Sequence, residues 1–220
     1  MRQFDTPGPI STVVEIPAGR VQFIAADRGD TSVEVRPANA AKGRDVRAAE
    51  QTAVDFGDGV LRIKAATGGR AVGPAGSVEV TVKLPAGSHV KATTGAAELR
   101  AVGRLGDVVF DGAYRHIKID EAAGVHLTAT DGDVEVGRLN GSADISTMRG
   151  DITITEAAGG KVVLRTQSGD ISVGAAAGVS AVLDAGTAYG RIDNALKNDG
   201  APALDIRATT SHGDITARSL

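Results

Sequence analysis

In the second half of the chain, four aspartates each follow a glycine and precede Val or Ile, and they have the clearest potential for chemistry. Carboxylates stacked in a column could bind calcium, which prefers carboxylate and carbonyl oxygens. They could also serve a carbohydrate-active enzyme, because Arg149 and Arg165 stand close to them in sequence. Aspartate after glycine is, however, a common turn residue that bonds nearby backbone. We therefore expect a structural turn ladder without metal, cofactor or catalytic role, called here the Asp ladder: Asp133, Asp151, Asp170 and Asp214.

The ladder belongs to a repeat that fills the second half of the chain. The place that a ladder aspartate takes in its repeat is called here the slot. In two further repeats the slot is occupied by His116 and Arg191. Successive slots, at residues 116, 133, 151, 170, 191 and 214, are 17, 18, 19, 21 and 23 residues apart. A period near twenty residues is typical of proteins built from stacked coils.

Apolar residues alternate on both sides of every slot. One and three places after a slot stand pairs such as Ile152 and Ile154, and six and eight places before it pairs such as Ile145 and Ala143. This period of two, interrupted by glycine, predicts two short half-buried strands per repeat. Threonines stand four places before the slot, at an even spacing from the inward apolar residues that precede it: Thr147, Thr166, Thr187 and Thr210. We therefore expect their side chains to point inward and their hydroxyls to form hydrogen bonds with the backbone of the turn.

Two all-β architectures fit such strands. An antiparallel sandwich or barrel also has short strands every 8 to 12 residues, but it does not require equivalent residues every twenty positions. The repeat favours a parallel β-solenoid, a single-stranded β-helix, forming one domain over residues 1–220. We expect regular coils over 96–220 and a less regular β-rich N-terminal half over 1–95. There, Ala38–Gln51 has helical composition with Asp45 as a cap, and Thr67–Gly76 has the composition of a loop.

Composition excludes several classes of function. The chain has 220 residues and no cysteine, so disulfides, thiolate metal sites and cysteine nucleophiles are excluded. A net charge of -3 offers no long-range attraction for nucleic acid. No apolar stretch reaches the length of a membrane span, and the first nine residues lack the apolar core of a signal peptide. A cytoplasmic location is therefore expected.

A second column, two places before the slots, is a candidate contact surface, called here the turn ridge. Tyr114 and Tyr189 lie in it, and Arg149 and His212 add charge and hydrogen-bonding groups. Aromatic and arginine side chains are enriched where proteins bind partners. A solvated row of turn residues is the alternative interpretation. The column is completed by Asp131 and Ser168.

Segments along nearly the whole chain resemble a known family. They include Phe4-Asp5-Thr6-Pro7, Leu84-Pro85-Ala86-Gly87-Ser88, Thr166-Gln167-Ser168-Gly169-Asp170-Ile171 and Thr209-Thr210-Ser211-His212-Gly213-Asp214-Ile215-Thr216. The combination is similar to the bacterial "putative adhesin" β-strand-repeat domain of unknown function, in its actinobacterial form. That resemblance implies a single-stranded β-helix of non-enzymatic character, and exported relatives make the cell surface the alternative location.

The leading hypothesis for function is a non-enzymatic scaffold or adhesin-like binding module for an unknown protein or glycan partner. The alternatives are a cytoskeleton-like polymer formed by end stacking and a carbohydrate-active β-helix enzyme. The last strand, Asp214–Arg218, is expected to end the solenoid without a cap, shielded in part by the insertion Asn194–Ala203. A strand edge of this kind invites stacking, and we expect a monomer or a closed homodimer.

Overall fold

The computed structural model describes residues 1–65, 76–114 and 116–220, of which 113 and 114 are described by their backbone only. Most of these residues lie in β-strands, so the predicted all-β class is confirmed. Contacts divide the chain into two compact units, Met1–Arg115 and His116–Leu220. The single domain over 1–220 stays a prediction. The predicted loop Thr67–Gly76 lies outside the described residues except for its last glycine.

The first unit is built around one long strand that pairs on both edges. Strand β2 pairs in parallel with β5, β6 and β7. Antiparallel pairs join β3 to β1 and β6, and β4 to β5. The elements are β1 (Arg2–Asp5), β2 (Ser11–Ala26), β3 (Asp30–Pro37), α1 (Gly43–Glu50), β4 (Ala53–Gly57), β5 (Val60–Lys64), β6 (Val78–Pro85) and β7 (His89–Tyr114).

Helix α1 confirms the helix predicted from the composition of Ala38–Gln51, but the prediction that Asp45 caps this helix is wrong. The N-cap is Lys42, which makes no side-chain cap bond. Asp45 lies in the first turn with its side chain buried. Its Oδ1 atom accepts the backbone N–H of Ser77 at 3.0 Å. The carboxylate therefore satisfies the backbone that leads into β6 instead of a free N–H of its own helix.

The second unit consists of short strands that pair in parallel with equivalent residues in register. For example, Ile145 lies beside Leu164, and Ile152 beside Ile171. The strands are β8 (Ile117–Asp131), β9 (Val134–Leu139), β10 (Ala143–Arg149), β11 (Ile152–Ala157), β12 (Gly160–Ser168), β13 (Ile171–Ala175), β14 (Ala181–Tyr189), β15 (Ile192–Ala195), β16 (Leu204–His212) and β17 (Ile215–Ser219).

These strands stack in two rows, and their order departs from chain order. One row runs β8, β10, β12, β16, β14. The other runs β8, β9, β11, β13, β17, β15. The last coil of the chain, β16 with β17, therefore lies between the coil of β12 and β13 and the coil of β14 and β15. Among the described strands, β14 and β15 form the end of the stack, called here the end coil.

The expectation that Asp214–Arg218 ends the solenoid is thus wrong. The insertion returns the chain over one coil, and it contacts the end of the last strand where the Lys197 N–H donates to Ser219 Oγ at 2.9 Å. At Ala203 the returning backbone lies between two coils: its N–H donates to the Ser180 carbonyl at 2.9 Å, and its carbonyl accepts the Gly160 N–H at 2.9 Å. Because all coils present similar edges, the last coil can occupy an internal place once the connection is long enough.

The inward columns form the core of this unit, as the alternation predicted. Ile152 and Leu164 are fully buried, and Ile171 and Ile215 are 1% exposed. The end coil is different: Leu183 and Ala185 are only half-buried, and Ile192 is 46% exposed. The same parity that buries a side chain inside the stack leaves it in contact with water at the end.

Candidate functional site

The Asp ladder joins successive coils by side chain to backbone hydrogen bonds. Each carboxylate accepts the N–H of the slot residue in the next coil. Asp133 Oδ1 accepts from Asp151 at 2.9 Å, and Asp151 Oδ1 accepts from Asp170 at 2.8 Å. Asp170 Oδ1 accepts from Asp214, and Asp214 Oδ1 accepts from Arg191, both at 2.8 Å. The ladder follows the stack order and ends at Arg191, in the end coil.

The close approach of neighbouring coils requires glycine before four of the slots, at Gly150, Gly169, Gly190 and Gly213. A Cβ atom at Gly169 would lie 2.1 Å from the Gly150 carbonyl oxygen. A Cβ at Gly190 would lie 1.9 Å from the Gly213 oxygen. Both distances are far below contact distance, and the clashing atom is backbone. The turn therefore excludes side chains at this position.

The threonine column bonds turn carbonyls, as the sequence predicted. The Thr166 and Thr210 hydroxyls donate to the carbonyls of Gly150 and Gly169 at 3.1 and 3.0 Å. Thr187 donates to the Gly213 carbonyl at 3.0 Å. Thr147 instead donates to the Arg149 carbonyl of its own coil, at 3.0 Å. These hydroxyls satisfy the backbone of the tight corner.

Arg191 interacts with Asp214 through both its backbone and its side chain. Besides the backbone bond, its Nη2 atom lies 3.1 Å from Asp214 Oδ2. The backbone N–H of Arg191, followed by its guanidinium, lowers the pKa of the Asp214 carboxyl below its ordinary value, against a smaller opposing effect of desolvation. Asp214 is therefore held in the charged form.

The arginines considered for a carbohydrate-active site pair with other carboxylates. Arg149 Nη2 lies 3.0 Å from Asp131, and Arg165 Nη1 lies 2.8 Å from Asp144. A cavity of about 200 Å³ touches Arg165, and its lining contains no ladder aspartate. Within residues 1–65, 76–114 and 116–220, no group of three His, Asp or Glu side chains is placed to hold a metal ion.

The turn ridge follows the same stack order as the ladder. In this order its members in the second unit are Asp131, Arg149, Ser168, His212 and Tyr189, each in register with the next. All except half-buried Asp131 are exposed. The side chain of Tyr114, the remaining predicted member, lies outside the described residues. Chain order also places Tyr189 beside His212, but it would put Ser168 on the other side of Tyr189, whereas in the structure Ser168 is the second neighbour of His212.

Tyr189 and His212 form a stacked ring pair on this ridge. Their ring centroids are 4.9 Å apart and the planes are inclined by 13°. Tyr189 is 71% exposed, so one face of the stack is open to solvent. The other end of the ridge carries the pair of Arg149 and Asp131. The ridge therefore offers a flat aromatic surface and a charged pair on a rigid backbone.

The exposed surface of the end coil was not predicted from the repeat. Arg191 and Ile192 gave no signal for it beyond the replacement of aspartate in the slot. That replacement is the usable signal: an aspartate there would have no further N–H to accept among the described coils. Ile192 is exposed for the same reason, since none of these coils covers it.

In-register parallel coils with columns of equivalent side chains define a β-solenoid-like fold in the second unit. The chain belongs to the Toastrack DUF4097 family, whose model matches residues 10–218. The resemblance to a domain of unknown function seen in the sequence is thereby confirmed, and its actinobacterial form stays a prediction. None of the described helices has the length and apolar character needed to cross a bilayer.

Several solved structures are similar to this chain at low identity. A "putative adhesin" from Bacteroides fragilis is 14% identical, with a TM-score of 0.47 over 98% of this chain and 95% of that chain. Another, from Parabacteroides distasonis, is 16% identical, with a TM-score of 0.45 over the same shares. A "putative cell adhesion protein" from Clostridium sporogenes is 9% identical, with a TM-score of 0.42 over 100% and 98%. No curated protein matches the chain.

Proposed function

We propose that this chain is a non-enzymatic, adhesin-like binding module and that the turn ridge contacts its protein or glycan partner. The observation that carries the proposal is the stacked pair of Tyr189 and His212 on the surface. A large exposed aromatic side chain held against a second ring is already ordered before binding. Binding then loses less side-chain entropy than it would at a mobile residue.

The turn ridge is also long enough to contact a partner at several residues. Neighbouring coils are about 4.8 Å apart, so five ridge residues span about 19 Å by the same spacing. Tyr189 lies at one end, and Arg149, with 66% of its side chain exposed, lies toward the other. A partner along this line would meet an aromatic face, hydroxyl and imidazole groups, and a charged pair in a fixed sequence.

Binding is favoured over catalysis by the way the carboxylates are used. Each ladder aspartate accepts a backbone N–H, and the nearby arginines pair elsewhere. General acid and base chemistry on a glycoside needs two carboxyl groups facing one cavity. The cavity at Arg165 has Asp184 as its only acidic residue. The ridge therefore supports recognition of a partner without its conversion.

Site-specific crosslinking can test this function while the partner is still unidentified. A photoreactive phenylalanine analogue replaces Tyr189, and the protein is irradiated in its own cells. The control carries the analogue at Arg36, an exposed residue of the first unit whose guanidinium pairs with Glu34. The proposal expects a defined adduct, protein or glycan, at position 189 and none at position 36.

The captured partner then allows a direct affinity measurement. Tyr189→Ala and His212→Ala should each weaken its binding by at least about tenfold, a change of about 1.4 kcal/mol. Arg36→Ala should leave binding unchanged. Adducts at both positions, or unchanged binding by both ridge variants, would refute the turn ridge as the contact surface.

A further inference from the structure

The end coil leaves a strand edge and part of the core uncovered. Among the described strands, β14 pairs only with β16, and β15 only with β17. Ile192, which would be a core residue inside the stack, is 46% exposed. Leu183 is half-buried although its neighbour in the next coil, Ile206, is fully buried. An unpaired strand edge beside exposed apolar side chains favours pairing with another strand.

No described coil pairs with the outer edge of the end coil, although Ala181 at the start of β14 donates its N–H to the Lys197 carbonyl of the insertion at 3.0 Å. Gly169 donates its N–H to the His212 carbonyl, and Gly213 donates to the Tyr189 carbonyl, both at 2.9 Å. Ile215 donates in the same way to Arg191 at 2.8 Å. Gly190 and Ile192 occupy the corresponding places in the end coil, and no described coil follows. Their donors point toward the uncovered end of the stack.

Arg191 makes this end a poor site for one more parallel coil. At each internal step, a slot aspartate accepts the N–H of the following slot residue. Arginine has no acceptor, so a parallel addition would lack that bond. Its side chain pairs with Asp214 at 3.1 Å and is still 89% exposed, so a positively charged group lies at the end of the column. The end coil therefore disfavours growth of the solenoid in the same direction.

Charges flanking Ile192 fit an antiparallel partner instead. Arg191 and Asp193 are both exposed and lie on either side of Ile192 in the sequence. In an antiparallel pair of identical strands centred on Ile192, each residue at 191 lies opposite residue 193 of the other strand. Such a register forms two opposite-charge pairs and brings the two isoleucines together, all of which are favourable cross-strand contacts.

We propose that the end coil binds the end coil of a second copy, with β15 antiparallel to its equivalent about a two-fold axis at Ile192. Arg191 then lies opposite Asp193 of the partner subunit, and Asp193 opposite the partner's Arg191. An isologous contact uses the same surface on both copies and so closes on itself. The product is a closed dimer, and it does not extend into a filament.

Charge reversal tests the register. The variants Arg191→Glu and Asp193→Lys each put like charges opposite one another in a homodimer. Each should raise the dimer dissociation constant by at least about tenfold, equivalent to about 1.4 kcal/mol. An equimolar mixture restores both ion pairs and should form a heterodimer, and the double variant should dimerise by itself. Arg36→Glu is the matched control and should dimerise as the original chain does.

Sedimentation velocity over a concentration series measures these states, and circular dichroism shows that each variant is folded. Ile192→Lys is a second disruptive variant that removes no fully buried contact, because Ile192 is already half exposed. A monomer at all concentrations, or growth beyond the dimer, would overturn the proposal. So would two folded single variants whose mixture stays monomeric, since the register predicts that they bind one another.

Discussion

Glycine before the slot and aspartate within it act on the same junction between coils, and the two effects can be separated by substitution. Gly169→Ala places a methyl group against the Gly150 carbonyl oxygen, 2.1 Å from the Cβ position. Because the clashing atom is backbone, the coils must move apart, and we expect a loss of more than about 2 kcal/mol in unfolding free energy.

Gly186→Ala is the matched control, since nothing lies within 4 Å of its Cβ position. That substitution should change stability by no more than about 0.5 kcal/mol. Urea denaturation monitored by circular dichroism measures both variants. Equal effects would show that the close approach at the turn is not what restricts this position to glycine.

The neighbouring pair Asp151 and Ile152 compares the ladder with the core. Ile152→Ala removes fully buried methyl and methylene groups and should cost about 2 to 5 kcal/mol. Asp151→Asn should cost far less, because the amide oxygen can still accept the Asp170 N–H. Chemical denaturation of both variants measures the two losses in unfolding free energy. A larger loss for the asparagine variant would mean that the ladder depends on charge.

Asp214 provides a pH-dependent readout of the last ladder junction. Its lowered pKa means that its contribution to stability is complete above the ordinary aspartate range and is lost as the pH falls through the folded-state pKa. Arg191→Gln keeps the backbone N–H, the largest cause, and removes the guanidinium. We expect the pKa of Asp214 to rise in that variant while staying below its ordinary value.

Carboxyl-carbon NMR titration of Asp214 follows this change directly. Arg36→Gln serves as the control, since Arg36 pairs with a glutamate of the first unit. An Asp214 titration that is identical in the Arg191→Gln variant would show that the side-chain pair at 3.1 Å does not persist in solution.

At the scale of the element, position in the stack should decide what an inward leucine contributes. Leu164 is fully buried on β12, between β10 and β16, whereas Leu183 is half-buried on the end strand β14. Leu164→Ala should cost about 2 to 5 kcal/mol. Leu183→Ala should cost less than about half of that, because part of its surface already contacts water.

Thermal and urea unfolding at a concentration that keeps the chain monomeric would compare the two leucine variants. Equal losses would mean that β14 is covered in solution. Dimer formation at the end coil predicts one further difference: raising the protein concentration should increase the cost of Leu183→Ala and leave that of Leu164→Ala unchanged.

Much of this organisation could be predicted from the sequence, because the side-chain period of a strand fixes which residues face inward. Ile152 and Leu164 are buried as their parity required, and the threonine hydroxyls bond turn carbonyls. Stack order could not be predicted in this way. Coils with equivalent slots and columns can follow one another in any order that the connections permit, and parity is the same in each order.

The position of the turn ridge residues followed from the repeat, but their neighbours depended on the stack order. Tyr189 belongs to the coil that precedes the coil of His212 in the chain, yet it lies beyond that coil in the stack. Arg191 in place of aspartate was the local sign that its coil has no successor among the described strands. This arginine is consistent with the end of the ladder, but His116 also replaces aspartate in a slot, so the replacement alone does not identify the end coil.

At the scale of the whole molecule, the internal position of the last coil makes a prediction that chain order alone would reverse. Strands β16 and β17 are each paired on both edges, whereas β14 and β15 are each paired on one among the described strands. Amides of residues 204–219 should therefore exchange slowly with solvent, and those of 181–195 should exchange faster, since strands at an edge open at lower free energy.

Hydrogen exchange followed by mass spectrometry, at a concentration where sedimentation shows a monomer, separates the two arrangements. If the coils stacked in chain order, the last seventeen residues would form the edge and would exchange first. Hydrogen exchange of a truncated chain that lacks residues 204–220 is a second test. Because β16 and β17 supply the only pairing of β14 and β15 among the described strands, the truncated chain should lose protection over 181–195 as well. Slow exchange over 181–195 with fast exchange over 204–219 in the full chain would contradict the observed order, whereas retained protection in the truncated chain would mean that β14 and β15 pair with β12 and β13 once the last coil is removed.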